Sequence, residues 1–448
     1  VLLGSVLIQK QALFIWRNKI PVLLKIIIIF AGILLLNRFG IHLAISLLAG
    51  SISLGIWMGS TPVELLTCLY NSMINYQTLS LSLIVWLIMV MSDIMEKSGH
   101  MKRLVGSFTR LSRDARMVAT VMSALIGLLP MPGGALFSAP LVDESLSRVN
   151  ATPEQKASLN YWFRHIWEYW WPLYPGVILA IALLNVETWR YMSFAVPMTL
   201  LSIGAGYFFI IKPMDKTGSN AGSRVSWPGV KDFIHEMMPI IIIILSIFLI
   251  TGLSKILTMV KAGTSIPSLV PVIIGLAGAI IWVCNKNKIA PSGLLKATFG
   301  KSNLAMILLI ISIMLFKGVM TDSGAVECIR DELMTYGIPP MLLILIMPFF
   351  SGFILGIAVG FVGASFPLII PLFPSHDPFM YIAYAALAYT FGYMGMMLSP
   401  VHLCFLVTRD YFKAGIGGSY SYILKTSVTV LVSATVLFLI SNFLHGLL

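Results

Sequence analysis

The sequence predicts an all-α polytopic membrane protein made of two inverted repeats, each with five crossings, one re-entrant hairpin and one broken helix. Three observations predict it. Hydrophobic residues make up 58% of the 448 residues and charged residues 11%, with a mean hydropathy of +0.91, far too apolar for a soluble domain. Pairs of short apolar runs flank Gly/Pro-rich or Gly/Ser-rich centres in both halves. Motifs of the first half also recur, in order, in the second.

The short runs come first. Residues 130–140 (Pro-Met-Pro-Gly-Gly-Ala-Leu-Phe-Ser-Ala-Pro) join apolar runs at 117–129 and 136–149. A helix needs roughly twenty apolar residues to cross a bilayer, so neither run suffices alone, and two prolines with a Gly-Gly pair break the helix between them. The expected shape is a re-entrant hairpin whose tip stops near mid-membrane. Irregular backbone is tolerated there only when it is buried in protein or lines a cavity.

The second copy follows the same plan. Gly363-Ala364-Ser365-Phe366 echoes Gly134-Ala135-Leu136-Phe137, Ile313-Met314 echoes Ile88-Met89, and Leu398-Ser399-Pro400-Val401 echoes Leu173-Tyr174-Pro175-Gly176. The separations are 229, 225 and 225 residues. Three matches in order at nearly one spacing indicate an internal duplication.

In chain order, residues 1–20 form an extension with no assigned role and no small-residue cleavage site. The first repeat, 21–212, holds spans at 21–37, 40–59 and 78–97, a basic connector, the hairpin 117–149, an aromatic-rich broken helix 161–184 and a span at 191–211. A hydrophilic linker, 213–233, is expected in the cytoplasm. The second repeat, 234–448, holds spans at 237–253, 267–284 and 302–320, the hairpin 341–373, a broken helix 379–407 and a last span at 420–444. An odd number of crossings per half turns the second upside down relative to the first.

Charge gives an independent check. A formal charge of +12 invites a nucleic-acid reading, but basic residues of membrane proteins gather in cytoplasmic loops. With the connector containing Lys102, Arg103, Arg110 and Arg113 inside, most of the 30 Lys and Arg fall on the same side. The bilayer is thus the expected partner, and nucleic acid is not. Cys68, Cys284, Cys328 and Cys404 are scattered without CxxC or Cys/His spacing, so neither a disulfide framework nor a metal site is expected.

Two tips and two breaks entering from opposite sides should meet near the midplane. Half-helix N-termini there attract anions, and half-helix C-termini coordinate cations such as Na⁺. Candidate solute-binding residues are Gly133, Gly134 and Ser138 at the first tip, Gly363, Ala364 and Ser365 at the second, and Pro175, Ser399 and Pro400 at the breaks. Glycines allow close backbone approach, whereas the serine hydroxyls can equally bond their own helices. His165 and Glu168, at i and i+3, and His402 are the candidate ion-coupling groups, because ionisable side chains at membrane depth usually serve a pathway. Arg164 is expected at the interface. Asp93 and Lys317, in equivalent third spans, either pair or anchor helix ends. His165 and Glu168 alone lack the further ligands a metal needs. No cofactor is expected beyond Na⁺ or H⁺ as coupling ion.

The stretches Leu129-Pro130-Met131-Pro132-Gly133-Gly134, Trp167-Glu168-Tyr169-Trp170-Trp171-Pro172-Leu173-Tyr174-Pro175-Gly176 and Ser399-Pro400-Val401-His402 resemble an uncharacterised prokaryotic branch of the ion-transporter superfamily. That superfamily includes citrate, gluconate and dicarboxylate carriers, arsenite permeases and some Na⁺/H⁺ antiporters. The resemblance implies a scaffold and a moving transport domain, elevator-type alternating access, a homodimer and the inner membrane of a prokaryote. It points to a secondary transporter of a small anionic solute, with a Na⁺/H⁺ antiporter as the alternative. The Ser-Asn-Thr tip motif of the dicarboxylate carriers is absent, so their specificity and sodium ligands do not carry over. A membrane enzyme is disfavoured, since neither HExxH nor a GxSxG-type nucleophile occurs.

Overall fold

The computed structural model describes residues 20–108, 114–128, 130, 134–215, 227–260, 266–289 and 301–446. Expectations for residues 1–19, Arg110, Gly133 and most of the linker fall outside them. Among the described residues the secondary structure is helical throughout, with no strand. The chain is an all-α polytopic membrane protein.

The first half runs α1 (Val22–Arg38), α2 (Leu43–Met58), α3 (Pro62–Ile74), α4 (Tyr76–Lys97), α5 (His100–Phe108), α6 (Ala115–Ile126), α7 (Gly134–Ser145), α8 (Pro153–Arg164), α9 (Pro175–Leu184) and α10 (Thr188–Gly206), the last extended by a π turn, Tyr207–Ile211. After a short α11 (Trp227–Glu236), the second half runs α12 (Met238–Val260), α13 (Val270–Asn287), α14 (Lys301–Asp322), α15 (Ala325–Thr335), α16 (Pro340–Leu355), α17 (Ala358–Ile369), α18 (Pro378–Met397), α19 (Leu403–Phe412) and α20 (Ile416–His445). Among the described residues, six helices are long and apolar enough to cross a membrane: those covering Tyr76–Lys97, Thr188–Ile211, Met238–Thr258, Val270–Asn287, Asn303–Asp322 and Ile416–His445.

Local chemistry explains several boundaries. Thr61 with Glu64, and Thr152 with Gln155, close capping boxes at the starts of α3 and α8. Asp377 accepts from the N–H groups of Phe379 and Met380 to start α18. Glu332 of α15 accepts from the first two N–H groups of α1, at 2.6 and 2.7 Å, placing a carboxylate at that helix's positive end.

Packing repeats along with helix order. α2 lies against α14 as α13 lies against α4; α9 lies against α17 as α19 lies against α7; α8 meets α20 as α18 meets α10. Such an exchange of partners is what a two-fold relation between halves produces. α6 pairs with α7, and α16 with α17, as the hairpins. The twelve residues of α6 and of α7 rise only about 18 Å, well short of the ~30 Å hydrocarbon core. α16 and α18 approach closely through glycines: a Cβ on Gly352 would stand 2.0 Å from Gly392 O, and one on Gly395 2.1 Å from Phe349 O.

The structure differs from the sequence expectation in three ways. The short helices α3, α5, α11 and α15 lie where connectors are expected. The second hairpin turns at Gly356-Ile357, not at Gly363-Ala364-Ser365, which sit inside α17. The starts of α7 and α17 are 224 residues apart, in line with the other two repeat matches. The Gly-Ala likeness had therefore slipped about one helical turn, a shift that leaves the same face apolar. Finally, Asp93 and Lys317 do not pair with each other: Asp93 meets Lys97 at 2.8 Å and Lys317 bonds Gln77 at 2.9 Å.

Candidate functional site

Both hairpin tips and both helix breaks do converge. A cavity of about 280 Å³ is bordered by Pro130 from the first tip, Gly356 to Val359 from the second, Arg164, His165, Glu168, Tyr174, Pro175 and Gly176 from the first break, and Met396, His402, Leu403 and Cys404 from the second.

The first break, between the end of α8 and the start of α9, is an aromatic turn that seals the first hairpin. Helix α6 ends at Ile126, leaving its last carbonyls without helical partners. Trp167 Nε1 donates to Ala124 O and Trp171 Nε1 to Leu128 O, both at 2.8 Å, and Tyr174 OH donates to Gly127 O. Trp167 and Trp171 thus cap a helix end inside the protein. Gly127 is required here, because a Cβ would lie 1.9 Å from Arg164 O.

The second half seals the first break in turn. Tyr389 and Tyr393, both on α18, donate to Glu168 O at 2.9 Å and His165 O at 2.7 Å. In exchange, Tyr161 of α8 donates to Met397 O at 2.9 Å, where α18 ends. Buried Asn160 joins four elements: its amide donates to Ala135 O of α7 and Thr408 Oγ1 of α19, and its Oδ1 accepts from Ser123 of α6. A buried amide satisfied on both sides fixes the mutual position of these helices.

Four helix N-termini then face one region. α9, α17 and α19 begin at the cavity wall with Pro175, Ala358 and Leu403, and none has a side-chain cap. The start of α7, Gly134, lies against the Arg164 guanidinium: a Cβ there would stand 2.3 Å from Nη2. Gly356, at φ +64, sets the second tip against the second break, where a Cβ would be 3.1 Å from both Ser399 Oγ and His402 N. Gly176 meets Ala358 as closely, a Cβ there falling 2.7 Å from that of Ala358.

Of the expected site residues, Gly134, Pro175, His165, Glu168 and His402 lie at or against the cavity. Ser138 donates to Gly134 O and Ala135 O, Ser365 to Phe361 O, and Ser399 accepts from Val401 N. All three hydroxyls are spent on nearby backbone. Gly363 packs on Ile313 of α14, and Ala364 is fully buried, both away from the cavity. Pro400 faces a separate apolar cleft beside α1.

Arg164 is the main correction. It is 3% exposed and lies inside the protein against the first hairpin, not on its surface. Its Nη1 lies 3.4 Å from Cys404 Sγ and 3.5 Å from His165 Nε2. His165 Nε2 lies 3.8 Å from Glu168 Oε1. Sequence reasoning took Cys404 for one of four scattered cysteines with no role in a site; the His402-x-Cys404 spacing just past Pro400 was the signal it passed over.

Comparison with solved structures finds the Alcanivorax borkumensis YdaH transporter, described as having an unusual topology. The match has a TM-score of 0.57 at 16% identity and covers 84% of this chain and 87% of that one. The likeness is one of fold. No curated protein matches the chain in sequence. A family model described as "Protein of unknown function (DUF401)" matches residues 20–440, and the chain belongs to that family.

Proposed function

We propose that this protein is a secondary transporter of a small anionic organic solute, coupled to Na⁺ or H⁺, working by elevator-type alternating access in the inner membrane of a prokaryote. One observation carries the reading. Uncapped N-termini of α9, α17 and α19 open on a cavity of about 280 Å³ that also holds the Arg164 guanidinium. Free N–H groups, helix dipoles and a guanidinium all favour an anion. The volume suits a small solute, being slightly below the range of drug-sized sites.

Further support comes from the fold, which resembles that of a protein named as a transporter, and from the paired dead-end hairpins, which suit alternating access better than a continuous pore. An ion-transporter-superfamily relationship and a homodimer fit this reading. Na⁺ would be held by carbonyls at the ends of α8 and α18, or H⁺ by Glu168. The antiporter reading is weaker, since Glu168 is the only carboxylate among the described cavity-lining residues.

The test is a thermal-shift screen of the purified protein against carboxylates, sulfonates and phosphonates, with Na⁺ replaced by K⁺ in parallel. Stabilisation by one anion class, followed by its uptake into proteoliposomes, supports the proposal. Stabilisation by no anion in either salt refutes it.

A further inference from the structure

A second chemistry is built into the same junction, independent of the solute reading. One ring nitrogen each of His165 and His402 and the Sγ of Cys404 offer three ligand atoms within 4.8 Å of one another. The two histidines are buried, and they come from opposite halves of the chain. His165 Nδ1 lies 2.5 Å from Tyr161 O, and His402 Nδ1 lies 3.3 Å from Met396 O. A carbonyl only accepts, so each neutral ring carries its proton on Nδ1 and presents the Nε2 lone pair. Histidines that bind metals are held in this way, the far nitrogen donating to a backbone carbonyl that fixes tautomer and ring orientation.

We propose that His165, His402 and Cys404 bind a divalent transition metal of the Zn²⁺ class, with a water molecule completing the tetrahedral shell. Two imidazoles and a thiolate select borderline-soft ions over Mg²⁺ or Ca²⁺. Neighbouring ligands in a tetrahedral site stand about 3.3–3.8 Å apart for metal–ligand bonds of 2.0–2.3 Å. The 4.8 Å span of the triad must close by about 1 Å to bind. Binding releases the Cys404 proton to solvent and forms the metal–sulfur bond, with no change of oxidation state.

Arg164 is the switch in this site. Its Nη1 stands 3.4 Å from Cys404 Sγ and 3.5 Å from His165 Nε2, so a bound cation and the guanidinium exclude each other. Metal binding therefore turns Arg164 away from the triad.

The experiment uses full-length protein, stripped by chelator and freed of any polyhistidine tag, titrated with Co²⁺ and then Zn²⁺. We expect one Co²⁺ per chain, a thiolate-to-cobalt charge-transfer band and tetrahedral d–d bands, all removed by Zn²⁺ and unaffected by Mg²⁺. Cys404→Ser should lose the charge-transfer band. His402→Gln, which keeps the thiol, should weaken Zn²⁺ binding by about 100-fold or more, since loss of an outer-shell partner alone costs 10–100-fold. A control carrying Cys68→Ser, Cys284→Ser and Cys328→Ser should keep the full signal. Absence of the band from wild type at millimolar Co²⁺, its persistence in Cys404→Ser, or unchanged Zn²⁺ affinity in His402→Gln would each overturn the proposal.

Discussion

Replacing Gly134 with alanine separates anion recognition from folding. The added Cβ would stand 2.3 Å from Arg164 Nη2 and 3.0 Å from Cζ. An ordinary contact needs about 3.4 Å, so the guanidinium must withdraw by about 1 Å. Those atoms end a flexible side chain bordering a cavity, so the backbone need not move. The anion-free protein should therefore melt close to wild type. A guanidinium displaced that far loses one charge-assisted hydrogen bond to the anion, about 1.5–3 kcal/mol, which weakens binding about 10- to 100-fold. The assay is the concentration of the stabilising anion needed for half-maximal thermal shift, in wild type and in Gly134→Ala. Equal half-maximal concentrations, with both proteins folded, would refute the placement of Arg164 as the anion's anchor.

Three further outcomes follow from the same geometry. Gly127→Ala drives a Cβ to 1.9 Å from Arg164 O; backbone cannot yield as a side chain does, so a loss of about 1–3 kcal/mol is expected, read as a lowered melting temperature with or without anion. Trp171→Phe leaves Leu128 O without its donor, costing about 1–3 kcal/mol; a melting curve superimposable on wild type would contradict the sealing role. His100, on α5 outside the spans, is buried with Nε2 2.8 Å from Glu236 O. Burial holds its imidazole below the usual value, with Lys286 and Arg103 adding to that and Glu236 opposing it. A lowered folded value means stability is full above the unfolded value of about 6.5 and is lost as pH falls below it. His100→Gln should flatten melting temperature against pH on that acid side, and parallel profiles for the two proteins would show that His100 does not contribute.

The order of elements was legible because apolar runs, prolines and glycines act locally: each sets where a helix can run and where it must stop. The convergence of tips and breaks followed from the repeat. Depth was not legible. Arg164 looks like an interfacial residue in sequence, and only its contact with Gly134 shows that it lies inside the protein. The second tip was misplaced because a slip of about one helical turn keeps apolar residues on the same face, so the pattern carries no penalty for the error. The triad was invisible for a different reason. His165 and Cys404 are 239 residues apart, and no local spacing rule connects donors supplied by two halves of a duplication.

The tyrosine exchange has a consequence for how the chain is made. The carbonyls of His165 and Glu168 find their donors in Tyr393 and Tyr389, which the ribosome adds more than 200 residues later. Until then these two carbonyls lack their tyrosine donors, and open polar backbone is not tolerated in hydrocarbon. The nascent first half is thus an unfinished client that must be shielded by water or by the insertion machinery. A chain truncated before residue 389 would present that open backbone permanently, a ready mark for membrane quality control.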